Sequence, residues 1–135
     1  MSVIKSQRSN SPVEFLHTAR QLEIYTIQKA VSFPKRYTFY VSQPLANTAT
    51  HIHKMVKMGN SIYPQNQHEV QIRRDYFLKA LAELQALVSQ IEVAAQLFPI
   101  DGNQMKFWMD MVNKEDRLLR AVLKREKERY KNLPL

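Results

Sequence analysis

The chain has no cysteine. That excludes a disulfide framework, a thiolate metal cage and thiol catalysis. Glycine is scarce too, at two in 135 residues, and there is no glycine-rich phosphate loop, nucleophile elbow or zinc-protease signature. No apolar run approaches the roughly 20 residues of a membrane span. The amino terminus, Met1-Ser2-Val3-Ile4-Lys5-Ser6-Gln7-Arg8, lacks the apolar core of a signal peptide. The expected setting is therefore the cytoplasm, without a membrane partner. The most informative absence is acid: between Glu23 and Glu69 there is no carboxylate at all.

That acid-free stretch carries Lys29, Lys35, Arg36, Lys54 and Lys57, with His51, His53 and His68 among serine, threonine, asparagine and glutamine. A solvated helical face usually mixes both signs, because opposite charges one turn apart support the helix and like charges repel. A segment that does not neutralise itself suggests a surface kept for an external anion, and a nucleic-acid backbone fits best. The whole chain carries 20 Lys and Arg against 12 Asp and Glu, a formal charge of +8. One domain spanning 1–135 is expected, burying about two thirds of the surface its unfolded chain would expose.

Hydrophobic period and punctuation predict four helices. Ser11-Pro12-Val13-Glu14 reads as a capping box with proline at the first helical position. Residues 1–10 before it are expected to be flexible. Phe15, Leu16, Ala19, Leu22, Ile27, Ala30 and Phe33 then share one face, and Pro34 closes the helix. A second helix from about Lys35 turns Val41, Leu45, Ala49, Ile52, Val56 and Tyr63 inward. Pro44 predicts a kink in it, since its ring displaces the carbonyl of Tyr40. Gly59-Asn60 weakens its end, and Tyr63–His68 is the loop.

In the third helix Phe77, Leu81, Leu84, Val88, Ile91, Ala95 and Phe98 alternate steps of four and three, the seam of a buried helix. After Pro99, Asp101 offers an N-cap to a fourth helix with Trp108, Met111, Val112, Leu118, Leu119, Val122 and Leu123 on one side. Beyond Leu123 the pattern fades, so residues 124–135 are expected to project or to pair with another subunit. With no competing strand pattern, the expected fold is all-α, an antiparallel up-down four-helix bundle.

Three charges interrupt the apolar faces: Glu23, Glu115 and Arg73. A lone carboxylate in a core is costly, so Arg73 is expected to pair with Glu115, Glu23 or both. An acid/base pair would be the catalytic reading, and the buried ion pair is preferred to it. Glu14-Phe-Leu-His17 is a single Glu-x-x-His where a di-metal bundle needs two. The rings of His51 and His53 point about 200° apart on one helix and cannot share an ion. No metal, cofactor or enzymatic activity is expected, and the methionines read as gap-filling core residues.

Arg36, Lys54 and Lys57 share the outer face of the second helix with Gln43, Asn47 and Thr50, which can donate to phosphate oxygens. Arg73, Arg74 and Lys79 add charge on the third helix, and Arg117, Arg120 and Lys124 on the fourth. Tyr40 is the main candidate for base stacking. Weakly sequence-selective, salt-dependent binding of RNA, DNA or a hybrid is expected. The alternative is an interaction module whose basic face meets an acidic protein.

Phe33-Pro34-Lys35-Arg36-Tyr37, Gly59-Asn60-Ser61-Ile62-Tyr63, Arg73-Arg74 and Lys79-Ala80-Leu81-Ala82-Glu83-Leu84 occur in this order, followed by Phe107-Trp108 and Arg129-Tyr130-Lys131. From Tyr25 to Lys131 the chain resembles the four-helix-bundle family of accessory variability determinant proteins of diversity-generating retroelements. Its wider relatives are the small bundles encoded in intervening sequences of large-subunit ribosomal RNA genes. The resemblance implies a non-enzymatic, homopentameric, basic protein that binds nucleic acid and associates with a reverse transcriptase. Arg36, Arg73, Arg74 and Lys79 fall at the basic positions of the shared motifs.

Overall fold

The computed structural model describes residues 13–135. It contains four long helices: α1 (Glu14–Ser32), α2 (Gln43–Asn60), α3 (Gln67–Leu97) and α4 (Gly102–Arg129). There is no strand among the described residues, so the fold is all-α. Ser11 and Pro12 of the expected capping box lie outside the described residues, and Val13 takes the N-cap position without a side-chain cap bond.

The chain's punctuation acts much as its chemistry requires. Phe33, ahead of Pro34, is extended at φ −73° and ψ 158°, because a proline ring disfavours the helical region in the residue before it. Asn66 caps α3 by accepting from Glu69 N at 2.9 Å, and Asp101 caps α4 by accepting from Gln104 N at 3.1 Å. Around Pro44 the outcome differs from a simple kink. A 3-10 turn over Lys35–Tyr37 runs into a π-helical turn over Thr38–Ser42, and only then does α2 proper begin, with Pro44 in its first turn. Placed in the first turn of α2, Pro44 stands where its missing N–H costs no bond within the helix.

α2 packs against α1 and α3, and α4 packs against the same two helices, so α1 and α3 lie between α2 and α4. Leu22, Leu45, Ile52, Phe77, Leu84, Leu87, Ile91 and Leu119 are fully shielded at the centre. Each such side chain contributes about 1.5–3 kcal/mol relative to exposure. Trp108 is also fully buried, and its indole N–H donates to Thr26 Oγ1 at 3.0 Å, which satisfies the polar end of the ring. Phe33, Tyr37 and Phe98 stack where α1 and α3 end, with ring centroids 4.5 and 5.1 Å apart around Phe98.

Four expectations need correction. On α3 the buried seam runs through Phe77, Ala80, Leu84, Leu87, Ile91 and Ala94, while Val88 is half-buried and Ala95 exposed. The seam is rotated toward α2, the helix against which α3 packs most extensively. Small residues permit that approach: an added Cβ on Gly59 would stand 2.6 Å from the Phe77 ring. Ile27 sits outside the core of α1, at the solvent edge. Tyr63 is 78% exposed, because α2 ends at Asn60 and the helical wheel no longer applies beyond it.

The fourth correction is the carboxyl-terminal tail, which packs back instead of projecting. Gln67 N donates to the Pro134 carbonyl at 2.8 Å, and Gln67 Nε2 donates to the carbonyls of Tyr130 and Leu133 at 2.7 and 3.1 Å. The first amides of α3 have no partner within their helix, and the tail supplies one.

Candidate nucleic-acid interface

The outward stripe of α2 is Gln43, Asn47, Thr50, Lys54 and Lys57, at steps of four and three, and every member is exposed. Neither lysine makes a salt bridge. The reason lies on the flanks. His51 Nδ1 is 3.8 Å from Glu83 on the α3 side, and His53 Nδ1 is 2.7 Å from Glu23 on the α1 side. The nearest carboxylates of both neighbouring helices thus face histidines, and Lys54 and Lys57 stand beyond them. The two rings do point to opposite flanks, as their spacing requires. Arg36, in the 3-10 turn, lies over the Tyr37 ring at 5.1 Å and is otherwise open.

The remaining basic candidates separate. Lys79 is exposed above the Tyr76 ring at 5.6 Å, while Arg74 is half-buried beside the end of α4. On α4, Arg117 and Lys124 are exposed and unpaired, but Arg120 is held by Asp116 at 2.9 Å. Lys106 and Lys114 are likewise held, by Asp110 at 2.8 Å and Glu14 at 3.0 Å. Since α1 and α3 separate α2 from α4, the basic residues form two surfaces rather than one. A feature that the periodicity missed is the gathering of Tyr63 with Lys124, Arg125 and Arg129 at one end of the bundle. The only sequence signal was that Tyr63 follows the Gly59-Asn60 break and so could not be placed by helical phase.

Arg73 belongs to the interior. Its Nε and Nη2 donate to the two oxygens of Glu126 at 2.9 and 2.7 Å, a bidentate pair, and Nη1 donates to the carbonyls of Gly59 and Ile62 at 3.0 and 2.8 Å. It is buried, so it cannot present these donors to a surface phosphate. Burial opposes its charge, yet the bond to Glu126 and that group's charge more than offset this and hold the guanidinium ionised. The ion pair expected for Arg73 exists, but its partner is Glu126 and neither Glu115 nor Glu23.

Glu23 is half-buried against His53. Glu115 is the opposite case: it is fully buried, and neither carboxyl oxygen has a hydrogen-bond partner. Burial first, then the charge of Glu14, push its titration up to about 9, against a smaller opposing effect of Lys114. Glu115 therefore meets the cost of burial by holding its proton instead of finding a cation.

Among the described residues no group of three histidine or carboxylate side chains is arranged to hold a metal ion, and no helix is long and apolar enough to cross a membrane. Comparisons with protein-family models, with curated proteins and with solved structures returned no match.

Proposed function

We propose that this is a non-enzymatic, cytoplasmic nucleic-acid-binding accessory protein, working as a homo-oligomer beside a reverse transcriptase in a diversity-generating retroelement. The observation that carries the proposal is the α2 stripe. Lys54 and Lys57 are exposed, free of acidic partners and framed by Gln43, Asn47 and Thr50, side chains suited to phosphate oxygens. The order of motifs from Phe33 to Lys131 supports the retroelement setting.

The bundle in this reading is antiparallel and up-down. In support, Glu14 lies by Lys114 while Tyr25 donates to the Gln104 carbonyl, the pattern of two helices running in opposite senses. Gln67 by Tyr130 and Arg73 by Glu126 repeat that pattern for α3 and α4. Self-association, with a pentamer as the first expectation, is supported by exposed apolar side chains. Phe39 and Tyr40 are 78% and 84% exposed, Tyr40 shares a shallow hollow with Val93, and Ile24, Ile27 and Val31 line the outside of α1. The exposed lysines of the α2 stripe would equally suit a second reading, a protein-interaction module whose basic face meets an acidic protein.

Size-exclusion chromatography with light scattering, with and without a short RNA–DNA hybrid, tests the proposal at low and moderate salt. Co-elution that fades as salt rises is expected, and replacing Arg36, Lys54 and Lys57 together by glutamate should abolish it while leaving the helical content unchanged. Each phosphate deprived of its cation should flatten the plot of log affinity against log salt by about 0.7–0.9. Indifference to both salt and the charge reversal would refute nucleic-acid binding and leave the interaction-module reading.

A further inference from the structure

The two ends of the bundle differ in chemistry. Where α2 and α4 finish and α1 and α3 begin, a groove of about 760 Å³ opens. That is within the range of about 300–1,000 Å³ typical of sites for organic ligands. Phe15 and Val122 supply apolar lining. Tyr63 and Tyr130 line it beside Arg73. The rim carries Lys124, Arg125 and Arg129.

The charge here is not internally balanced. Of the two acids lining the groove, Glu126 is taken by Arg73 and Glu128 by Lys131 at 2.9 Å. Lys124, Arg125 and Arg129 have no carboxylate partner. A smaller hollow of about 230 Å³ shares Glu126 and Tyr130 with the groove and extends the cationic track to Arg74 and Lys127. Arg129 lies over the Tyr130 ring at 5.3 Å, so a planar cation and an aromatic face already stack at this edge.

We propose that this end groove is a binding site for single-stranded nucleic acid, with an unpaired base on Tyr63 and its phosphates on Lys124, Arg125 and Arg129. An exposed aromatic face beside uncompensated cations is the arrangement that selects a single strand. A duplex keeps its bases stacked inside, so it can use the cations but not the tyrosine. Tyr63 suits the role because it stands on the short α2–α3 connection, held from below by Arg73 on the Ile62 carbonyl, while its own ring stays open to solvent. The site rests on the nucleic-acid reading above and adds to it a strand preference and a location apart from the α2 stripe.

Fluorescence anisotropy of the full chain tests this. The probes are a labelled deoxythymidine oligomer of about 12 nucleotides, within the span of common single-strand sites, and the same oligomer paired with deoxyadenosine. Tyr63→Ala should weaken binding to the single strand at least about fivefold and leave the duplex unchanged, and Tyr63→Trp should restore it. Arg125→Gln with Arg129→Gln should flatten the salt dependence of single-strand binding by about 1.4. If Lys54→Glu with Lys57→Glu weakens binding while the groove variants bind like the wild type, the groove proposal is overturned and the α2 surface stands. Equal losses on both probes for Tyr63→Ala would overturn the stacking role. No binding of either probe by the wild type at low salt would overturn both readings.

Discussion

Replacing Glu115 by glutamine keeps the size of the side chain and removes its titration, so it isolates what the buried carboxyl does to stability. In the unfolded chain this group loses its proton near the ordinary value of 4.5, whereas in the fold it keeps the proton up to about 9. Between these values the unfolded state binds one proton fewer than the folded state, and stability must fall as pH rises. The slope is about 1.4 kcal/mol per pH unit. Stability from the neutral carboxyl is fully present below 4.5, and about 3 kcal/mol of it is gone by neutral pH. Above about 9 both states are ionised and the loss levels off. Glutamine carries no such penalty, although its amide also lacks partners in a site where Glu115 finds none. The net expectation at pH 7 is a variant more stable than the wild type by about 2–3 kcal/mol, and close to it at pH 4.5. Urea denaturation of both proteins across pH 4.5 to 9 reads this directly, since the other titrating groups are common to both and cancel in the difference. Parallel stability profiles would refute the reasoning, because they would mean that Glu115 is ionised in the fold or reaches water.

Arg73→Met should destabilise by about 3–5 kcal/mol in thermal or urea unfolding, because it leaves the Glu126 carboxylate and the carbonyls of Gly59 and Ile62 without their donor. Adding Glu126→Met should recover much of that stability, and simple additivity in the double-mutant cycle would contradict the pairing. Gly59→Ala, usually favourable in a helix, should here cost about 1–3 kcal/mol, since the new methyl meets the buried Phe77 ring at 2.6 Å. Phe77→Leu should relieve part of that cost, and a neutral Gly59→Ala would show that the two helices can separate without penalty.

What the sequence disclosed and what it withheld divide along a physical line. The depth of a residue within its own helix follows from angle alone, and a single helical wheel supplies that. Glu115 and Arg73 were legible as interior charges for this reason, as were Leu45, Ile52 and Trp108 as core. Partnership needs a second quantity, the height of one helix against another, and no wheel contains it. Arg73 meets Glu126, 53 positions away, because the four residues from Phe98 to Asp101 and the tail on Gln67 set how α3 and α4 align. The same missing height hid the end groove, whose tyrosines come from a loop and a helix terminus. Pro44 shows a third kind of gap. Its steric demand is plain in sequence, but whether the chain answers with a kink or with a wider turn depends on what α2 gains by lying straight along α3.

The acid-free interval from residue 24 to 68 holds a related lesson about surfaces. A segment without carboxylates is not thereby an uncompensated surface, because neighbouring helices can supply the acids. α1 and α3 do bring Glu23 and Glu83 to the edges of α2. They meet His53 and His51, the residues that flank the stripe, and leave the outward lysines alone. On α4 the outcome reverses within a single helix: Asp110 and Asp116, one turn from Lys106 and Arg120, neutralise them, whereas Arg117 has no acid one turn away and the one beside Lys124, Glu128, pairs with Lys131 instead. Charge composition therefore nominates a binding face, but the flanks decide it. By that criterion Arg36, Lys54, Lys57, Lys79, Arg117, Lys124, Arg125 and Arg129 are among the cations this fold leaves available, and Arg73, Lys106, Lys114 and Arg120 are not.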